Sequence, residues 1–205
     1  MCVSRRRENM QGMSNLSRPG IFGRLCAGLL HLSGWRTVFR WPPAAKAVII
    51  FYPHTSNWDF ILGNLTRYAL GFPVHWAGKD TLFRPPFNRF FRWLGGIPVN
   101  RRQSTGLVAH LCAEFERNAE FYLAIAPEGT RKKTNHWKSG FYRLALAAKV
   151  PLGLGFIDYA KREIGVDTYL ELSGNEAEDL TRVRAYYADK HGKFPELESD
   201  IRFIS

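Results

Sequence analysis

The chain has 205 residues, 45% of them hydrophobic and 23% charged, which suits one globular domain with a sizeable core and excludes a disordered or fibrous chain. Lys and Arg number 29 against 18 Asp and Glu, a formal net charge of +11, so an anionic partner is expected. The excess sits in one half: residues 1–102 hold 15 basic and 3 acidic side chains, residues 103–205 hold 14 and 15.

Residues 1–20 open with Arg5-Arg6-Arg7, close on Pro19-Gly20 and lack the apolar run and cleavage site of a signal peptide. They read as a basic tail, expected to be mobile. Residues 21–41 combine large apolar side chains (Phe22, Leu29, Leu30, Trp35, Phe39, Trp41) with only basic charges at Arg24, Arg36 and Arg40. That pattern fits an interfacial helix and equally a helix packed on the core, ended by Pro42-Pro43. Val48–Tyr52 is a short β-branched and aromatic run, hence a buried strand stopped by Pro53. Ser56 or Asn57 then caps a helix running to about Leu70, with Gly71 closing it. Further along, 74–77 and 97–99 read as strands, 87–94 as a short helix, 104–119 as a helix, 122–126 as a buried strand and 139–149 as a helix. Residues 151–159 and 164–172, joined through Lys161-Arg162, read as a strand pair, and 176–190 as a last helix capped by Asn175. Strands alternating with helices predict an α/β fold, a partly parallel central sheet flanked by helices. One domain over 21–205 is expected, with a core at 46–172 and a C-terminal helix and tail at 173–205.

Cys2, Cys26 and Cys112 form no Cys-x-x-Cys pair, so neither a disulfide framework nor a zinc site is supported. No run of 18 or more apolar residues exists, and no orthodox membrane span can be drawn. Gly78-Lys79 lacks the rest of a P-loop, Gly153-Leu154-Gly155 falls one Gly short of a dinucleotide fingerprint, and no Gly-x-Ser-x-Gly elbow occurs. The His residues show no ligand spacing, so no metal site is expected.

Three segments carry chemistry. In His54-Thr55-Ser56-Asn57-Trp58-Asp59 the His leaves the end of a buried strand and the Asp falls in the first turn of the next helix. That turn can fold the carboxylate onto one imidazole nitrogen and hold the other as a proton acceptor, the arrangement of a general base without a serine beside it. Strand 122–126 runs into Pro127-Glu128-Gly129-Thr130-Arg131-Lys132-Lys133, a turn with a hydroxyl and three cations that suits a phosphate. Gly95-Gly96-Ile97-Pro98-Val99-Asn100-Arg101-Arg102 repeats the arrangement at another strand end, where open α/β sheets bind ligands.

These segments resemble the motifs of the glycerolipid acyltransferases, the 1-acylglycerol-3-phosphate acyltransferase type. His54 to Asp59 matches that family's His-x4-Asp, Gly96 to Arg101 its Arg-ended block, Pro127 to Arg131 its Pro-Glu-Gly-Thr-Arg block, and Val150-Pro151-Leu152 stands at its last Val-Pro motif. Pro53, Asn100 and Ala126 depart from the usual residues and leave the acceptor open. The resemblance implies a glycerol-3-phosphate acyltransferase-like fold with an N-terminal interfacial helix. It implies His54 and Asp59 as catalytic residues and Asn57, Arg101, Glu128, Gly129, Thr130 and Arg131 as substrate-binding ones, with Glu128 also able to hydrogen-bond within its loop. No cofactor is implied; acyl-CoA or acyl carrier protein would be co-substrate and a lysophospholipid the acceptor, with a lyso-aminolipid or glycolipid precursor as alternative. A peripheral enzyme on the cytoplasmic face of a membrane, meeting an anionic bilayer, follows. The interleaved rings and cations of Phe83 to Leu94 suit lipid headgroups, a single-stranded nucleic acid, or equally a core-packed set of rings beside solvated Arg; the motifs favour lipid, so no nucleic acid is expected.

Overall fold

The structure is a computed structural model and describes residues 19–99 and 106–204. In chain order these form α1 (Ile21–Leu32), β1 (Arg36–Phe39), β2 (Lys46–Phe51), α2 (Trp58–Leu70), β3 (Val74–Lys79) and a 3-10 turn (Asp80–Phe83). There follow α3 (Asn88–Trp93), β4 (Gly96–Val99), α4 (Leu107–Arg117), β5 (Phe121–Ile125), α5 (Gly140–Ala148), β6 (Leu152–Asp158), β7 (Glu163–Leu170), α6 (Glu176–Tyr187) and a second 3-10 turn (Pro195–Leu197).

Seven strands make one sheet in the order β1-β7-β6-β2-β5-β3-β4. β2 to β6 run parallel, β7 is antiparallel to β6, and β1 is parallel to β7. Alternation along β2 sorts its side chains to the two faces. Val48 and Ile50 join Leu123, Leu154 and Phe156 beneath α4, α5 and α6. Ala47 and Ile49 face the other way, with Phe72, Val74 and Tyr122, toward α2. Val48, Ile49 and Ile50 are all fully buried; each contributes roughly 1.5–3 kcal/mol by leaving water. A parallel strand covered on both faces reads as a continuous apolar run, which is why β2 is legible in the sequence.

One element differs from expectation. The apolar segment 21–41 is not one helix: α1 stops at Leu32 and Arg36–Phe39 is an edge strand beside β7. The Ser33 hydroxyl donates to Leu29 O (2.8 Å), and Gly34 takes a positive φ of 76°, which turns the chain out of the helix at little steric cost. β1 lies against β7 because Gly165 has no side chain; a Cβ there would stand 1.7 Å from Val38 O. The sequence shows the aromatic run but not the distant glycine that receives it.

The last fourteen described residues, from His191 on, also take a part no local pattern shows. Tyr159 N–H donates to His191 O, Asp200 N–H to Thr134 O, and Trp137 N–H to Arg202 O. The tail is thereby tied beneath the carboxyl ends of β2, β5 and β6, where the chemistry-bearing loops lie. Among the described residues no helix is long and apolar enough to cross a membrane.

Candidate active site

β2 ends at Phe51, and the loop His54 to Asn57 leads into α2. Trp58 N–H donates to Ser56 Oγ (3.2 Å), so Ser56 caps the helix start, while Asn57 at the cap position makes no side-chain capping bond. The same turn brings Asp59 back under the loop. His54 Nδ1 lies 3.1 Å from Asp59 Oδ2, with the two side chains 19% and 1% exposed. Ser56 N–H donates to Asp59 Oδ2 (2.8 Å) and Tyr159 O–H donates to Oδ1 (2.8 Å). With Nδ1 committed to the carboxylate, Nε2 is the nitrogen left to take a proton from a ligand.

A second carboxyl supports the loop from behind. Glu128, 2% exposed, accepts the His54 backbone N–H at 2.8 Å and bonds the side chain and backbone of Ser199. Burial pushes its carboxyl up to about 7, against the lowering effect of those bonds, and the Asp59 charge adds to the rise. Glu128 does not line the cavity; its bonds leave its own loop for the His54 loop and the tail at Ser199. Arg131 Nε donates to Ser56 O (3.1 Å), joining the β5 loop to the His54 loop, and Gly129 N–H donates to Ala126 O (3.1 Å).

The His54–Asp59 pair stands at one end of a cavity of about 900 Å³ between α2 and the sheet. Asn57, Lys79, Gly129, Thr130, Arg131 and Lys132 line it near the pair, and Gly63, Leu70, Phe72, Val74 and Phe39 line it farther along. Phe39 and Phe72 meet at 5.0 Å between ring centroids, and Trp41 packs edge-on against both, closing that end. α2 from Asp59 to Leu70 is about 16 Å long at 1.5 Å per residue. The site thus joins a cationic mouth, a His–Asp pair and a long apolar recess.

The acyltransferase family model matches residues 36–153, more than half of the chain. The chain belongs to the acyltransferase family. Among solved structures it is similar to the 1-acyl-sn-glycerophosphate (LPA) acyltransferase PlsC of Thermotoga maritima, at 14% identity and a TM-score of 0.53, with 84% of this chain and 80% of that one covered. At that identity the likeness establishes a shared mixed α/β fold. No curated protein matches the sequence.

In this acyltransferase the structure brings His54, Asp59, Asn57, Gly129, Thr130 and Arg131 to one edge of the sheet. Arg101, with its neighbour Arg102, lies outside the described residues. Two residues at the site were not singled out in the sequence. Lys79, weighed only as part of a P-loop, reaches the cavity mouth because it ends β3. Tyr159 lies 100 residues from the carboxylate it binds, a distance over which no spacing rule signals contact.

Proposed function

We propose that this acyltransferase moves a fatty acyl group from an acyl thioester, acyl-CoA or acyl carrier protein, to the hydroxyl of a membrane-dissolved lysophospholipid such as 1-acylglycerol-3-phosphate. The observation that carries the reading is the His54–Asp59 pair at the mouth of a long apolar cavity. His54 Nε2 takes the proton of the acceptor hydroxyl as its oxygen attacks the thioester carbonyl carbon. Asp59 holds the imidazolium in place through Nδ1. The tetrahedral intermediate collapses with cleavage of the carbon–sulfur bond, and the proton on His54 returns to the leaving thiolate. The products are the acylated lipid and a free thiol, and atoms and charge balance without a covalent enzyme intermediate.

The recess takes the acyl chain of the donor. An extended chain advances roughly 1.3 Å per carbon–carbon bond of about 1.5 Å, so the length of α2 suits about a dozen carbons. Arg131, Lys132 and Lys79 at the mouth supply the charge for an acceptor phosphate, with Arg131 offering a planar fork.

A membrane face fits the same reading. On α1 the side chains of Ile21, Leu25, Leu29 and Leu32 are exposed, and on or beside α3 those of Phe87, Phe90 and Trp93. The two helices flank an apolar groove of about 250 Å³ on the outer side of α2. Such a surface, interspersed with Arg24, Arg89 and Arg92, suits a headgroup region.

The test is thiol release from acyl-CoA and acyl carrier protein donors of graded chain length, with lysophosphatidic acid, a lyso-aminolipid and a lyso-glycolipid as acceptors. Release that depends on lysophosphatidic acid is expected. Dependence on another lipid moves the acceptor, and no dependence on any of them overturns the reading.

A further inference from the structure

The Asp59 carboxylate is held by three groups, two from its own loop and one from the turn after β6. His54 and the Ser56 N–H take Oδ2; the Tyr159 hydroxyl takes Oδ1 at 2.8 Å. Tyr159 follows β6 and lies beyond residues 36–153, the segment the family model matches. Its placement is over-determined. The ring stands edge-on to Trp35 at 5.0 Å between centroids and 90° between planes. Its backbone N–H donates to His191 O at 2.9 Å. The turn that carries it is closed by Asp158 Oδ1, which accepts from Ala160 N–H (3.0 Å) and Lys161 N–H (3.3 Å).

A carboxylate has two oxygens, and only one can serve the imidazole. Left to rotate about its terminal torsion, which is broad for Asp, it would present either. The phenol fixes Oδ1, so Oδ2 remains aimed at Nδ1. Its second effect is electrostatic: a donor on Oδ1 draws negative charge away from the oxygen that faces His54. Burial and the Asp59 bond push the phenol far above its ordinary range, so it stays a donor at every working pH.

We propose that Tyr159 is a positioning residue of the catalytic pair, acting through Asp59 to orient His54 and to limit how strongly the carboxylate favours the imidazolium. The assignment rests on the acyl-transfer reading above only for its kinetic arm. The other charged and titratable groups near the pair are Lys79 and Lys132 at the cavity mouth, Arg131 on Ser56 O, Glu128 behind His54, Lys193 over the Trp58 ring, and Asp158 and Lys161 in the turn of Tyr159. None of these is removed when the phenol loses its hydroxyl.

The test is Tyr159→Phe in the full chain. Hydrogen bonds to charged groups are strong enough that kcat is expected to fall about tenfold or more, with both Michaelis constants unchanged. In an Asp59→Asn background the same substitution is expected to have almost no further effect, since the pathway is already cut. The direct readout is the ring-proton NMR titration of His54, which needs no substrate. Its midpoint is expected to rise in Tyr159→Phe, because the freed carboxylate charge favours the imidazolium. An unchanged midpoint, or rate losses that multiply in the double variant, overturns the assignment. Should Tyr159→Phe fold poorly, Trp35→Leu keeps the hydroxyl but frees the ring, and a smaller rise in the same direction is expected; no rise counts against the proposal. A titration that moves in a protein with no acyl-transfer activity would separate the two readings, sparing this one.

Discussion

At the residue scale the site is built from side chains with little room to change. Asp59 and Glu128 are both buried, yet they do opposite work: Asp59 faces the imidazole, and Glu128 fixes the backbone of the residue that carries it. The second carboxyl has a measurable signature. Its folded-state pKa, about 7, stands above the ordinary 4.5. A raised pKa means that the native state binds the proton more tightly. The stability this confers is complete below about pH 4.5 and is lost as pH rises through 7. A shift of that size corresponds to on the order of 3 kcal/mol. Glu128→Gln, which keeps a donor and an acceptor without the charge, should gain on the parent protein by that order between pH 5 and pH 8. Denaturant melts of both at the two pH values check it; a difference independent of pH would contradict the buried titration. His54 and Asp59 were legible from their spacing because one turn of chain joins them. The Glu128, Tyr159 and Ser199 contacts were not, because each is made across the sheet between loops far apart in sequence.

At the element scale α2 does the most. Its first turn completes the His54–Asp59 pair, and its inner face roofs the cavity with Asp59, Gly63, Thr66 and Leu70, an i, i+4, i+7, i+11 stripe. Gly63 is the opening in that roof: a Cβ built there meets nothing within 4 Å. Gly63→Ala should stabilise the helix by up to about 1 kcal/mol, seen as a higher Tm, with transfer retained. Gly63→Phe should fill the recess and shift donor preference toward shorter acyl thioesters. Unchanged chain-length preference in that variant would place the acyl chain elsewhere. Elements covered on both faces, such as β2 and β5, announce themselves as apolar runs, and α2 by its period and Gly71 stop. β1 did not. Its four residues continue an aromatic stretch already helical at α1, and what makes them a strand is the groove left by Gly165 on β7.

At the scale of the whole molecule the charge asymmetry acquires a place. Between residues 19 and 99 there are nine Lys and Arg against two acids, Asp59 and Asp80, and Asp59 is spent inside the site. Three of these cations, Arg24, Arg89 and Arg92, share the α1 and α3 surface with exposed aliphatic and aromatic side chains. Each Lys or Arg near an anionic bilayer contributes on the order of 1 kcal/mol, and the attraction falls off within a Debye length. Binding to acidic vesicles should therefore be strong at low salt, weaken as salt is raised, and fall further when Leu25 and Trp93 are both replaced by Glu. Co-sedimentation reads all three, and a protein left in the supernatant at low salt would contradict the membrane face. The central claim is that the His54–Asp59 pair drives acyl transfer to a lipid hydroxyl. The measurement that tests it most directly is lysophosphatidic acid-dependent thiol release by parent and His54→Ala proteins on the same vesicles. General-base catalysis contributes roughly 10²–10⁴-fold, so the folded, vesicle-bound variant should lose at least that factor. Turnover near the parental rate in folded His54→Ala would contradict the account.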